Sequence, residues 1–147
     1  MTRLLAILAL CFATLTPLLP SAFGQRAGRR QYYSNWAKHP NKPYYYRSYY
    51  YKKSASARDY GYHYGIYYPS RGKRVYMYNP HKKTYWGYWE GDSYSLLPPR
   101  DRKASIDDID AESFPKPGKP PAIPESDDKE EMMPPPADFP RLNDDTP

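Results

Sequence analysis

The sequence predicts a small all-β fold. An antiparallel meander of three to four strands covers about residues 60–97, flanked by long disordered segments and preceded by an N-terminal signal helix. Three observations predict it. All 18 tyrosines lie between Tyr32 and Tyr94. From Tyr60 to Leu97, short runs of β-forming residues are separated by turn signals. Beyond Phe114 prolines dominate, and proline-dense polar chain has little to bury.

Taken in order, residues 1–24 carry the three parts of a secretory signal. Arg3 is the positive start, Leu4 to Leu15 is an apolar run closed by Pro17 and Pro20, and Ser21-Ala22-Phe23-Gly24 offers small residues for cleavage before Gln25. The run is shorter than the ~20 residues that span a bilayer. Cleavage after Gly24 would remove Cys11, leaving no cysteine for a disulfide or a thiolate metal site. The expected location is secreted or extracytoplasmic, in the periplasm or at the cell surface, with no stable membrane span after cleavage.

Residues 25–59 form a basic, Tyr-rich segment, expected to be loosely ordered. The near-repeat Tyr44-Tyr45-Tyr46-Arg47-Ser48, Tyr49-Tyr50-Tyr51-Lys52-Lys53 has neither helical nor two-residue periodicity. Ser54-Ala55-Ser56-Ala57 reads as a small-residue linker.

Residues 60–98 are the expected β-sheet domain. Strand-like runs occur at Tyr62–Tyr68, Lys73–Tyr78, Thr84–Trp89 and Tyr94–Leu97. They are joined by Pro69-Ser70, by Asn79-Pro80-His81-Lys82-Lys83, and by Gly91-Asp92-Ser93. Asn at the first turn position and Pro at the second favour a tight turn. Strands joined by such short loops pair antiparallel. Period two puts Val75 and Met77 opposite Tyr76 and Tyr78, and puts Trp86 and Tyr88 opposite Tyr85 and Trp89. Gly65 and Gly87 lie inside strands, where a neighbouring ring could cover the bare backbone. Both faces are aromatic, so a lone sheet cannot hide them both, and a partner or self-association is expected to complete it.

Residues 99–113 are a connector in which Ser105, Asp107 and Asp108 mark a short helix over 105–112, with a serine cap and carboxylates in the first turn. Residues 114–147 are expected to be a disordered, acidic, Pro-rich tail. Charge divides the same way. From Gln25 to Ser105 the net charge is +13, and from Ile106 to Pro147 it is −8. The two halves are expected to attract each other weakly, over many geometries.

The chemistry-bearing residues argue against catalysis. His39, His63 and His81 stand in unrelated contexts, no nucleophile elbow or glycine-rich phosphate loop is present, and the acidic pairs lie in a solvated tail. No catalytic residue, cofactor or metal site is expected. The informative signal is basic residues interleaved with rings: Arg47, Lys52, Lys53, Lys73, Arg74, Tyr76, Lys82, Lys83 and Trp89. Cations neutralise a polyanion's backbone while rings stack on bases or sugar faces. The expected function is non-enzymatic binding of an anionic polymer, polysaccharide or nucleic acid. The alternative is a self-assembling or crosslinked Tyr-rich component of the cell envelope.

The block Tyr76-Met77-Tyr78-Asn79-Pro80, Tyr85-Trp86-Gly87, Tyr94-Ser95-Leu96-Leu97, Asp107-Asp108-Ile109 and the Pro-rich acidic end resembles a group of small secreted Tyr-rich proteins of planctomycete bacteria. The resemblance covers about residue 35 to the terminus. It implies export and a shared domain, and carries no activity.

Overall fold

A computed structural model describes residues 28–142 of the protein. The expected signal segment, its cleavage site and Cys11 lie outside the described residues. The chain is all-β, with strands β1 (Gln31–Tyr33), β2 (Ala37–Lys38), β3 (Tyr45–Tyr51), β4 (Gly61–Tyr67), β5 (Val75–Asn79), β6 (Thr84–Glu90) and β7 (Ser93–Leu96). They form one antiparallel sheet in the order β1-β3-β4-β5-β6-β7, and β2 extends the outer edge of β3 beside β1.

The meander expected over 60–97 is β4 to β7, with its turns as read. The Asn79 side chain accepts from the His81 and Lys82 amides at 2.9 and 3.1 Å, and Lys83 closes that loop at φ +54°. Glu90 pairs with Ser93 across Gly91-Asp92, and Gly91 at φ +59° suits a two-residue hairpin with glycine first.

The sheet is nevertheless larger than expected. Tyr45–Tyr51, expected to belong to a loosely ordered segment, is an interior strand paired along its whole length with β4. Its tyrosines at both parities hid it, because alternation marks a strand only when one face meets water. Here both faces are covered to a large extent, and both parities are aromatic.

Period two also fails at one place. The β5–β6 register shifts between Met77 and Tyr78, so that Met77 opposes Gly87 and Tyr78 opposes Tyr85. Trp86 is the extra residue of this bulge. It therefore joins Val75, Met77 and Trp89 in one core, while Tyr85 and Tyr88 join Tyr76 in the other. The expected pairing of Trp86 with Tyr88 on one face is corrected by that single inserted residue. Gly87 does lie under a ring: a Cβ there would overlap the Tyr94 ring and the Ser95 carbonyl. Gly65 is instead covered by Val75 and the Arg47 stem.

The two cores sit on opposite faces of the sheet. The first holds Tyr49, Tyr51, Val75, Met77, Trp86, Trp89 and Tyr94. It unites β3 with β6 and β7, so the sheet curls around this side. The second holds Ile66, Tyr76, Tyr85, Tyr88 and Leu97, and is covered by Ile106, Ile109 and Phe114 from the connector. The expected helix there is two separate 3-10 turns, Ile106–Asp108 and Ala111–Ser113. The expected cap is present, since the Ser105 side chain accepts from the Asp107 amide.

The largest departure is the tail. Phe114 still packs on the second face, and from Gly118 to Leu142 the chain is laid over the first face. Ile123 and Met132 are 1% and 2% exposed and belong to that core. They are brought together by a turn-back of the chain, with Ile123 N–H donating to Glu130 O at 2.8 Å and Met132 N–H to Pro121 O at 2.8 Å. Gly118 exchanges two 2.9 Å backbone hydrogen bonds with Tyr94 at the β7 edge, and Phe139 packs against Trp36 and Tyr67. Proline density was read as disorder because prolines donate no hydrogen bond. Prolines also lose little conformational freedom on ordering, and three well-spaced apolar side chains suffice to seat the segment.

Candidate functional site: a tyrosine groove on the open face

The nine residues expected to bind a polyanion do not form one surface. Trp89 and Tyr76 are 1% and 4% exposed. Trp89 lies in the tail-covered core, and Tyr76 lies beside Tyr88 and under Phe114. Neither can stack on a polymer. Arg47, 3% exposed, is a structural cation. Its guanidinium donates to Asp138 at 2.8 and 3.3 Å and to Ser34 O at 2.8 Å, and lies 4.6 Å from the Trp36 ring. Those three assignments are corrected by burial: large rings fill the core, and a buried charge requires its partners.

The other six lie outside the cores, in separate places. Lys52 extends over the Tyr60 ring at 4.9 Å, and Lys53 is ion-paired with Glu125 of the tail. Arg74 covers Tyr88 at 4.6 Å and reaches Glu90 at 3.5 Å. Lys82 and Lys83 sit in the β5–β6 turn, and Lys73 precedes the opposite end of β5. The diffuse attraction expected between the halves is replaced by fixed pairs. Arg30 bonds Asp128 and Glu130, Lys53 bonds Glu125, and Arg47 bonds Asp138. Asp128 and Glu125 are held below the usual carboxylate range chiefly by hydrogen bonds from Arg30 and Lys53.

What the structure does gather is tyrosine. On the face opposite the tail, the cross-strand register sets Tyr32, Tyr50 and Tyr62 side by side and brings Tyr64 next to Tyr78. Successive ring centroids lie 4.9 Å (Tyr32–Tyr50), 6.2 Å (Tyr50–Tyr62), 5.6 Å (Tyr62–Tyr64) and 5.9 Å (Tyr64–Tyr46) apart. These rings are half-buried, each with part of its surface open to solvent.

The row runs into a groove of about 730 Å³ between the β2–β3 loop and the connector. Its floor is Tyr46, Tyr64, Ile66, Tyr78 and Tyr85, and its walls are Tyr44 and Tyr68 on one side and Ser105 to Asp107 on the other. Tyr68 and Tyr85 share a 2.8 Å hydroxyl hydrogen bond. Burial pushes the Tyr44, Tyr64, Tyr68 and Tyr85 phenols upward, so they are protonated at neutral pH and can both donate and accept. Charge at the rim is nearly balanced, because Arg71 bonds Asp107 at 2.5 Å and Lys42 stands opposite.

The expectation of one surface built from nine interleaved aromatic and basic residues misses this groove. Tyr64 and Tyr78 occupy positions recognisable by period two within their own strands, but only the register across β3–β6 shows that they meet Tyr46 and Tyr85. Among the described residues, no group of three or more histidine, cysteine or acidic side chains is arranged to hold a metal ion, and no helix is long and apolar enough to cross a membrane. No family model, curated protein or solved structure matches the chain, so the site is read from its own chemistry.

Proposed function

We propose that the protein is a non-enzymatic binding module whose tyrosine groove takes a segment of polysaccharide. The observation that carries this reading is a run of half-buried rings leading into an open groove lined by the uncharged Tyr44, Tyr64, Tyr68 and Tyr85 phenols. Ring faces pack on the apolar faces of sugars, and protonated phenols exchange hydrogen bonds with sugar hydroxyls. Nucleic acid is the weaker fit. A phosphate backbone requires a line of unpaired cations, and Arg71 is already engaged by Asp107. Asp107 is also the groove's one carboxylate, which favours binding over acid–base chemistry. An exported location, expected from the N-terminal segment, would bring such a groove to extracellular glycans.

Calorimetric titration with neutral and anionic hexasaccharides, alongside a single-stranded oligonucleotide, tests the proposal. A hexasaccharide should bind saturably and the oligonucleotide should not. Tyr64→Ala should weaken binding about tenfold, the equivalent of ~1.4 kcal/mol for one stacked ring. Saturable binding of the oligonucleotide alone, or glycan binding indifferent to Tyr64→Ala, would overturn it. The same open rings favour self-association as the second reading, and sedimentation of the unliganded protein over a concentration series separates the two.

A further inference from the structure

Beneath the tail, on the face opposite the groove, lies a second cavity of about 360 Å³. It is bounded by β4, β5, β6 and the tail segment from Pro121 to Ser126. Three of its lining residues each hold a buried polar atom without a partner among the described residues. His63 is 3% exposed and Trp86 8%, and His63 Nδ1, Trp86 Nε1 and Ser126 Oγ are all buried without a hydrogen bond. Buried polar atoms normally have partners, so three orphans around one cavity call for a ligand with several hydrogen-bonding groups. The bulge in β6 is what brings Trp86 to this face, and bulges commonly re-aim a side chain at a functional site.

Charge around the cavity selects among ligands. Lys82 and Arg102 line it with no carboxylate partner among the described residues, and Arg102 Nε donates to Leu97 O at 3.1 Å. The one acidic lining residue, Glu125, is already paired with Lys53. The cavity thus has two cations and several uncharged donors and acceptors in its lining. We propose that it binds a small hydroxylated carboxylate, a molecule the size of a single uronate. The carboxylate would lie toward Lys82 and Arg102, and the hydroxyls toward His63, Trp86 and Ser126. A 360 Å³ space accommodates one sugar ring, and it lies on the opposite face from the groove, so this site is distinct from the groove and does not depend on it.

The experiment is a nitrogen-15 NMR titration of the full chain with glucuronate, following the Trp86 indole N–H, with glucose and acetate titrated in parallel. Glucuronate should shift that resonance saturably and at least tenfold more tightly than either control. Lys82→Gln, a change in an exposed turn, should weaken glucuronate at least tenfold. Tyr64→Ala, on the other face, should leave it unchanged. No saturable shift at tens of millimolar glucuronate would overturn the site. Equal affinity for glucose, or for glucuronate in Lys82→Gln, would overturn the carboxylate, and equal affinity for acetate would overturn the hydroxyl contacts.

Discussion

The two faces of the sheet are built from the same residue type and finished differently. On the tail-covered face Tyr49, Tyr51 and Tyr94 are 0–2% exposed, sealed by Ile123, Met132 and Phe139 and by ion pairs that reach from Arg30, Arg47 and Lys53 into the tail. On the other face the connector covers only the part near Tyr76 and Tyr88, and Tyr32, Tyr46, Tyr50, Tyr62 and Tyr64 keep contact with water. Tyrosine permits both outcomes because its ring is apolar and its hydroxyl is not. Whether a tyrosine supports the fold or is available to a ligand is decided by what lies over it.

The largest effect should follow from uncovering the sealed face. A chain ending at Gly118 loses Ile123, Met132 and Phe139 from that core and the ion pairs of Arg30, Arg47 and Lys53 with the tail. It should lose its cooperative thermal transition and its near-ultraviolet circular dichroism. An unchanged melt would mean that the two faces are equally self-sufficient, and the contrast would collapse.

Next come matched truncations on the two faces. Trp89→Ala should cost ~3–5 kcal/mol as a buried aromatic lost from a packed core. Tyr62→Ala, on the open side, should cost about 1 kcal/mol or less, the scale of a cross-strand pair. Urea denaturation of both variants measures the difference, and similar midpoints would refute it.

A smaller effect sharpens the comparison through pH. Burial chiefly lowers the His63 pKa, from 6.5 to about 4. The imidazole lies against Tyr51 and Trp86. Glu125 acts in the opposite sense, and His81 and Lys82 add to the lowering. The folded state therefore resists protonation that the unfolded chain accepts. Stability from this group is complete above pH 6.5 and is lost as pH falls toward 4, by roughly 3 kcal/mol for a shift of that size. Denaturation midpoints measured between pH 7 and 4 should decline less steeply in His63→Gln, after allowing for the tail carboxylates that titrate at the lower end. An identical slope would show that His63 is not the group sensed.

How much of this was legible from sequence depends on which signals are local. The turns at Asn79-Pro80 and Gly91-Asp92 are fixed by the conformations those residues favour, and they were read correctly. The Ser105 cap was read correctly too, although a 3-10 turn follows it rather than a helix. Strand β3 was not legible, because tyrosine at both parities erases alternation. The bulge at Trp86 was invisible because one inserted residue leaves no compositional trace. The groove depends on register across four strands, which no local pattern encodes. The tail was misread for a different reason. Proline content reports which hydrogen bonds a segment lacks, and says nothing of whether Ile123 and Met132 find a surface to fill.

The pairing of Arg30 with Glu130, Gln31 with Glu131 and Tyr33 with Met133 joins positions 100 residues apart. The hairpins from β3 to β7 can form from neighbours in the chain, whereas these contacts wait until residues 130–133 have been synthesised. Contacts of such separation slow folding, although the entropy of closing so long a loop grows only gradually with its length. In that interval the aromatic rings destined for the sealed face have no cover, and exposed apolar surface on a folding intermediate invites aggregation. The acidic tail thus acts as a timer on the newborn chain: until it arrives, the molecule is a sticky half-sheet, and its solubility is decided by how quickly the segment from Gly118 to Leu142 comes home.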